Sequence, residues 1–373
     1  MGVGMQPGYA TPDGTHAWRM HHQLVDASQW RDVCGHTISP VGLGTYLGSP
    51  DAATDTLYEQ AVLSFLGKGG NIIDSAVNYR WQASERAVGR ALARAFEAGV
   101  PRESIFISTK GGFIPGDAQR RLDSDAYVAA ELVEQGIVTV EDIVAGCHCM
   151  TPAYLRHQVD ASRHNLGLET LDLYYLHNPE TQLDEISHAN FQTKLRIAFE
   201  ALESFVSDGK IRSYGCATWN GFRVGQADKS HIEIEALLET AHAVAGSDHH
   251  FRAIQLPFNL AMPEAFVSRT QGVVGQRTSA IQAAERLGVT VMCSAPLMQS
   301  QLLRKLPSRV DSAFPGYETA AARLLAFVMN APGVTSAMCG MKLGAHIDGN
   351  LEVMRHPHLA PDEWLAAIRR LQS

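Results

Sequence analysis

Asp74 and Tyr79 stand five positions apart near the start of NIIDSAVNYRWQASERAVGRAL, residues 71–92, directly after a short apolar run. Lys110 and His177 end two later apolar runs in the same way, in SIFISTK and LDLYYLH. A phenol has a pKa of about 10 and releases its proton reluctantly, but a nearby ammonium lowers that pKa. An aspartate can keep a buried lysine charged, and a histidine can orient a substrate oxygen by a hydrogen bond. These four side chains therefore suit protonation of a carbonyl oxygen while a hydride arrives at its carbon.

Short strands alternating with helices are the elements that the sequence offers to position these residues. Helical patterns with one apolar face, such as 53–70, separate the strand-like runs, and further helical segments stand at 344–355 and 361–372. Because a helical crossover returns the chain to start the next strand in the same direction, this alternation predicts a parallel sheet. The predicted strands are 41–45, 71–74, 104–109, 170–176, 211–216, 251–256, 289–294 and 334–340.

Eight strand–helix units favour a closed (β/α)8 TIM barrel, an α/β fold. The alternative is an open doubly wound sheet, whose dinucleotide-binding form carries G-x-G-x-x-G after its first strand, a pattern that GLGTYLG at 42–48 matches poorly. In a barrel, Asp74, Lys110 and His177 end the second, third and fourth strands, on the face where barrel active sites are built. Ser84 is predicted to be the N-cap of the helix that follows the second strand.

Two regions fall outside the regular alternation. Residues 1–35 are predicted to form an N-terminal extension or a cover over the barrel floor, and residues 36–373 a single barrel domain. A long insertion at about 112–150 follows the third strand, so it emerges on the active-site face, where a loop of this length usually shapes a pocket. Within it, GCHCM places Cys147 and Cys149 around a histidine whose side chain points the opposite way in an extended chain, so no metal site is predicted.

The overall composition is that of a globular protein, with 45% apolar and 19% charged residues. A formal net charge of -8 and a pI near 6.0 argue against binding to nucleic acid or to anionic lipid. The N-terminal stretch lacks the apolar core of a signal peptide, and no segment approaches about 18 uninterrupted apolar residues. We therefore expect a cytoplasmic protein without membrane association, and six cysteines are too few to predict a disulfide framework.

Several motifs occur together in an order that resembles the aldo-keto reductases. They are DSAVNY (74–79), SERAVGRAL (84–92), STK (108–110), LDLYYLH (171–177) and GKIRSYG (209–215), within a match that covers about residues 36–355. The resemblance implies an NADP(H)-dependent barrel enzyme that reduces an aldehyde or ketone to an alcohol, or catalyses the reverse reaction. It also implies a catalytic tetrad, with Tyr79 as the proton donor, whose members are Asp74, Tyr79, Lys110 and His177.

The same resemblance implies how the nicotinamide end of the cofactor is held. Where the family has a Ser-Asn pair at the carboxamide, this chain has Ala217 and Thr218, and Gln255 matches the third carboxamide-binding position. Where the family generally places an aromatic residue beneath the nicotinamide ring, this chain has Ser294 or, with the alignment shifted by one, Cys293. These departures leave open an altered nicotinamide geometry or weak turnover.

At the adenosine end, Lys342 is expected to meet a 2′-phosphate and Asn350 matches the adenine-contacting asparagine, while His346 stands where many relatives have an arginine. NADP(H) is therefore expected in preference to NAD(H), since a lysine and a helix start both favour an anion. The remaining cofactor-binding positions implied by the resemblance are Gly44, Thr45, Leu297 and Gly340, and the implied substrate-pocket positions are Tyr46, Trp81 and Trp219.

Two other functions remain open from the sequence. The same acid–base set suits a lyase or isomerase without net redox change, and potassium-channel β subunits, which resemble this family, act as cofactor-binding regulatory subunits. The substrate is expected to be a small carbonyl compound or alcohol. Its identity, the direction of the reaction and the oligomeric state do not follow from the sequence.

Overall fold

The computed structural model describes residues 4–372, and within them eight parallel strands form a closed barrel. Each strand pairs with the next in chain order, and the eighth closes on the first, where Ala337 lies opposite Val41. The predicted (β/α)8 fold is confirmed. The strands are β1 (Val41–Gly44), β2 (Ile72–Asp74), β3 (Phe106–Gly111), β4 (Leu173–His177), β5 (Tyr214–Ala217), β6 (Phe251–Pro257), β7 (Thr290–Ser294) and β8 (Ser336–Gly340).

A helix follows every barrel strand. Asp51, Thr151, Ser187 and Thr319 stand as N-caps whose side chains accept a backbone N–H of the first turn, which satisfies a donor that the helix leaves free. Among the described helices, none is long and apolar enough to cross a membrane. The helices are α1 (Ala52–Gly67), α2 (Ala83–Glu97), α3 (Pro152–Leu166), α4 (His188–Ser207), α5 (Ile234–Ala245), α6 (Ala280–Arg286), α7 (Ala320–Met329) and α8 (Gly344–Leu351).

The predicted capping role of Ser84 is wrong. Helix α2 begins at Ala83, and its N-cap is Gln82, which has a left-handed backbone (φ 68°) and makes no side-chain cap. The Ser84 hydroxyl instead donates to the carbonyl of Thr45 at 2.6 Å. Ser84 therefore ties the start of α2 to the end of β1.

The N-terminal segment forms a helix, Pro12–His21, and a hairpin of Arg31–Val33 with His36–Ile38. Val33 and Ile38 of the hairpin pack into the apolar cluster that includes the strand-start residue Phe106, so the hairpin covers the amino-terminal end of the barrel. A final helix, Pro361–Gln372, follows the barrel.

The insertion after β3 has a small apolar core of its own. A helical turn, Ser124–Tyr127, continues into the π-helical segment Val128–Val133, and a 3-10 turn follows at Val140–Asp142. Tyr127 and Leu132 are buried against Tyr154 of α3. The other short elements are the hairpin Gln271–Val273 with Gln276–Thr278, the helical turns Glu264–Val267 and Arg309–Ala313, and the 3-10 turns Arg102–Ser104, Pro179–Asp184, Gly246–Asp248, Met298–Ser300, Leu302–Lys305 and Glu352–Arg355.

Candidate active site

A cavity of about 470 Å³ lies at the carboxyl ends of the barrel strands. Strand-end residues and the loops that follow them form its wall, as expected for a barrel whose chemistry occurs on this face. The lining residues are Gly44, Thr45, Tyr46, Leu47, Asp74, Asn78, Tyr79, Phe113, His177, Asn178, Ala217, Thr218, Trp219, Gln255, Ser294, Ala295, Pro296, Leu297, Gln299, Ser300, Met338, Cys339 and Gly340.

A buried ion pair lies beneath this cavity. Lys110 Nζ donates to Asp74 Oδ2 at 2.5 Å and to the carbonyl of Ser75 at 2.8 Å. The other carboxylate oxygen, Asp74 Oδ1, accepts from Ser108 Oγ at 2.7 Å and from Gln255 Nε2 at 3.2 Å. Burial, the largest single effect, works to lower the pKa of Lys110, but the charge and hydrogen bond of Asp74 act together with Tyr79 in the opposite direction, and the net pKa is raised. The lysine is therefore a fixed positive charge.

Tyr79 lies beside this charge, with Lys110 Nζ 5.0 Å from the centre of its ring. Burial raises the pKa of the Tyr79 phenol, and the positive charge of Lys110 acts in the opposite direction. The lowering by Lys110 that the sequence predicts is thus present, but the desolvation of the phenol is larger. The phenol is protonated at neutral pH.

The imidazole of His177 stands next to Tyr79, with ring centres 5.8 Å apart and planes at 77°. The Phe113 ring centre lies 5.2 Å from that of His177, with the ring planes at 82°. His177 Nδ1 is buried and has no hydrogen-bond partner among residues 4–372. Burial and the nearby Lys110 hold the pKa of His177 well below its usual value, so the ring is neutral.

The ends of β5 and β6 supply further polar groups to the cavity. The backbone N–H of Thr218 donates to the carbonyl of Gln255 at 2.9 Å, while Thr218 Oγ1 is buried without a partner in the described part of the chain. Asn178, which follows His177, has a left-handed backbone (φ 47°), and its N–H donates to the carbonyl of Ala217 at 2.6 Å. A buried hydroxyl without a partner, on a residue that lines a cavity, is the kind of group that a ligand amide satisfies.

Most of the predicted cofactor positions line this cavity, but those after β8 do not. Lys342 lies across from the loop after β1, because a Cβ built on Gly48 would stand 2.9 Å from Lys342 Nζ. Lys342 makes no ion pair with any residue between 4 and 372. His346 is exposed on α8, and buried Asn350 donates to Cys339 Sγ at 3.5 Å.

Of the predicted pocket residues, Tyr46 and Trp219 line the cavity and Trp81 does not. The Trp81 ring instead lies against Gly116 of the insertion, about 3.0 Å from a Cβ built there. Within the insertion, Phe113 is the residue that contributes to the cavity wall, so most of this segment packs on itself rather than shaping the pocket.

Glu180 is a site-adjacent residue that the sequence does not reveal. Its Oε1 accepts three backbone N–H groups, from Trp219 at 2.8 Å, Asn220 at 3.1 Å and Gly221 at 3.4 Å. Burial, partly offset by these hydrogen bonds, raises the pKa of Glu180 to about 7. The carboxyl group thus fixes the loop that begins at Thr218. Asn78 and Asn178, which the motifs do not single out, also line the cavity, and each directly adjoins a tetrad position.

The Cys-His-Cys segment at 147–149 does not bring its side chains together as metal ligands. His148 is buried and hydrogen-bonded on both ring nitrogens, and Cys149 is buried in the apolar core of the insertion. In the described part of the chain, no group of three or more His, Cys, Asp or Glu side chains is placed to hold a metal ion.

The model of the aldo/keto reductase family matches residues 40–371, nearly the whole chain. The chain belongs to the aldo/keto reductase family. The resemblance inferred from the motifs is therefore confirmed, and the barrel with its strand-end cavity is an aldo/keto reductase fold.

Curated relatives agree with this membership. The NADH-specific methylglyoxal reductase of Escherichia coli (strain K12) is 27% identical over 186 residues, 48% of either chain. An aldo-keto reductase of Mycolicibacterium smegmatis is 30% identical over 185 residues, 50% of this chain and 48% of the relative. This chain thus spans about half the length of the curated relatives that it matches.

Among solved structures, an aldo/keto reductase from Klebsiella pneumoniae in complex with NADP and acetate superposes with a TM-score of 0.61 at 20% identity, covering 92% of this chain and 95% of that one. The glycerol dehydrogenase of Gluconobacter oxydans gives a TM-score of 0.59 at 21% identity, with 92% and 95% covered. At such identities, the likeness establishes the fold alone.

Proposed function

We propose that this protein is an NADP(H)-dependent oxidoreductase that reduces an aldehyde or ketone to an alcohol, or catalyses the reverse. The observation that carries the proposal is the buried Asp74–Lys110 pair beside a protonated Tyr79 and a neutral His177, with Asp74, Tyr79 and His177 lining one cavity. The substrate would be a small carbonyl compound or alcohol. We also propose a cytoplasmic location, which six unpaired cysteines support.

A nicotinamide cofactor fits the residues present and, when bound, supplies or accepts the hydride. Thr218 Oγ1 is a buried hydroxyl without a partner among the described residues, and Gln255 lies beside it to meet an amide group. Lys342, with no ion pair within residues 4–372, would meet the additional phosphate that distinguishes NADP(H) from NAD(H). One structure with the same fold contains NADP, whereas one curated relative is named as NADH-specific. The cofactor preference of this protein therefore has to be measured directly.

The proton is handled by this chain's own residues. Burial keeps the Tyr79 phenol protonated, so Tyr79 is ready to donate to a carbonyl oxygen. Lys110, held charged by Asp74, stabilises the phenolate as it forms, because an adjacent positive charge favours the anion. Neutral His177 donates a ring N–H to the same oxygen and fixes its direction.

The test is to mix purified wild-type protein and Tyr79→Phe with NADPH or NADH and a panel of aldehydes, ketones and sugars. Nicotinamide absorbance reports turnover, and fluorescence reports cofactor binding. We expect both proteins to bind NADPH more tightly than NADH, and Tyr79→Phe to lose about 100- to 10,000-fold in kcat. Tyr9→Phe, which removes a hydroxyl remote from the cavity, should match wild type.

If wild type binds cofactor but oxidises it with no carbonyl compound, the reductase proposal fails. Conversion of a substrate without any change in nicotinamide absorbance would favour a lyase or isomerase. Equal rates for Tyr79→Phe and wild type would show that another group donates the proton.

A further inference from the structure

A continuous line of hydrogen bonds runs from the surface of α4 to the end of β4. Lys194 Nζ donates to Gln182 Oε1 at 3.1 Å, and Gln182 Nε2 lies 2.9 Å from His148 Nδ1. His148 Nε2 in turn lies 2.8 Å from the backbone carbonyl oxygen of His177. His148 and Gln182 are 1% and 0% exposed, so water does not compete for these contacts.

The groups at the two ends of this line, the Lys194 ammonium and the His177 carbonyl, determine which ring nitrogen of His148 carries the proton. An ammonium only donates, so Lys194 fixes the amide oxygen of Gln182 as acceptor and turns the amide nitrogen toward His148. That nitrogen only donates, so His148 Nδ1 must accept. A carbonyl oxygen only accepts, so His148 Nε2 must carry the proton and donate to His177. Both ends select the same neutral tautomer, and burial lowers the pKa of His148 to about 4, which agrees with it.

Close approach of the backbone makes this contact possible. Gly112 has φ 135°, and a Cβ built on it would stand 2.7 Å from His148 Nε2 and 3.0 Å from the carbonyl oxygen of His177. The Cys149 N–H donates to the Gly112 carbonyl at 2.9 Å, and Phe113 bridges antiparallel to His148. The end of β3, the end of the insertion and the end of β4 are therefore held as one unit.

The side chain of Phe113 shares this arrangement. Its ring meets His148 edge-on with centres 5.3 Å apart and planes at 88°, and it meets His177 at 5.2 Å and 82°. His177 thus has its backbone carbonyl bonded by His148 and its ring packed by the same insertion. The next residue, Asn178, has a left-handed backbone conformation, which constrains the chain directly after His177.

We propose that His148 is a positioning residue, which fixes the backbone of His177 at the end of β4 so that the imidazole is aimed at the substrate oxygen. The inference rests on the proposed function and gives the insertion at 112–150 a part in the reaction through His148 and Phe113. Gln182 and Lys194 serve to hold the tautomer that makes the contact. His148 itself does not touch the substrate, because it is not a lining residue of the cavity.

The kinetic test compares His148→Leu, which removes the N–H, with His148→Gln, whose amide nitrogen can reach the position of Nε2 and donate. We expect His148→Leu to lower kcat by about 10- to 100-fold, since a small misplacement of a catalytic group costs on that order. The Kd for NADPH should stay unchanged, and His148→Gln should recover most of the loss. His157→Gln is the control, because His157 contacts Tyr127 of the insertion but not His177, and its kcat should equal wild type.

A spectroscopic test is independent of activity. Long-range 1H–15N NMR of the histidine rings should show His148 with the proton on Nε2 and no titration above about pH 5, because burial lowers the pKa of His148 to about 4. A proton on Nδ1, or titration near pH 6.5, overturns the inference whether or not the protein reduces carbonyls.

Unchanged kcat in His148→Leu overturns it as well, as does equal loss of kcat in His148→Leu and His148→Gln. If wild type proves inactive with every carbonyl, the proposed function fails, and the NMR result alone decides the placement of His148.

Discussion

Replacing Glu180 by glutamine removes a buried carboxyl group whose pKa in the folded protein is raised from 4.5 to about 7. Between these pH values the folded protein holds a proton that the unfolded chain releases. The free energy of unfolding therefore falls as pH rises through this window, and the whole cost is present above pH 7. At about 1.4 kcal/mol per pH unit, the difference corresponds to about 3 kcal/mol.

Glutamine at position 180 keeps an oxygen that can accept the backbone hydrogen bonds of the loop after Thr218. Its amide oxygen can accept the same backbone N–H groups of Trp219, Asn220 and Gly221 that Glu180 Oε1 accepts. It does not ionise, so the desolvation cost of the carboxylate disappears. We expect Glu180→Gln to unfold with nearly the wild-type free energy at pH 4.5 and to be more stable than wild type by up to about 3 kcal/mol at pH 8.

The assay is urea unfolding at several pH values from 4.5 to 8, followed by circular dichroism for wild type and variant. Glu97→Gln, a change at an exposed position of α2, provides the matched control and should run parallel to wild type at every pH. The reasoning is refuted if the difference between Glu180→Gln and wild type is the same at both ends of the range, or if the variant is the less stable one at pH 8.

Two stability predictions concern other buried contacts. Asp172 accepts from Ala10 N, Arg102 Nη2 and Ile107 N at 2.7, 2.8 and 2.7 Å, so Asp172→Ala leaves a buried guanidinium uncompensated and should lower the free energy of unfolding by about 3–5 kcal/mol. A loss below about 1 kcal/mol in urea unfolding would contradict this. Gly89→Ala would place a Cβ 2.4 Å from the Asn165 carbonyl oxygen and should cost about 1–3 kcal/mol, seen as a lower Tm. Gly67→Ala, with nothing within 4 Å, is its control, and equal Tm values for both variants would disprove the clash.

The strands, and the placement of three of the four tetrad residues at their carboxyl ends, could be predicted from periodicity. Each predicted strand overlaps an observed one, and Asp74 and His177 end β2 and β4, while Lys110 lies one residue before the end of β3. Their contact in space follows from the fold, since parallel strands bring their carboxyl ends to one face. The specific roles of these residues stay predictions until the variants are measured.

What could not be predicted depends on tertiary partners. Ser84 looks like a helix cap by local pattern, but its hydroxyl has a partner 39 positions earlier in the chain, at Thr45. The net pKa of Tyr79 depends on burial, which no spacing reveals. Glu180 and His148 act through backbone groups of other segments, and backbone partners leave no trace in residue type.

The hairpin at the amino-terminal end of the barrel packs against the barrel although it precedes the region that the family model matches. The family match starts at residue 40, whereas Val33 and Ile38 lie inside the same apolar cluster as the first residues of several barrel strands. Trp18 is likewise buried in the main core, and its indole N–H donates to the Gly69 carbonyl at 3.0 Å. Residues before position 40 thus pack into the same apolar clusters as the family-matched part, so a chain cut at residue 40 would expose apolar residues at the amino-terminal end of the barrel to water.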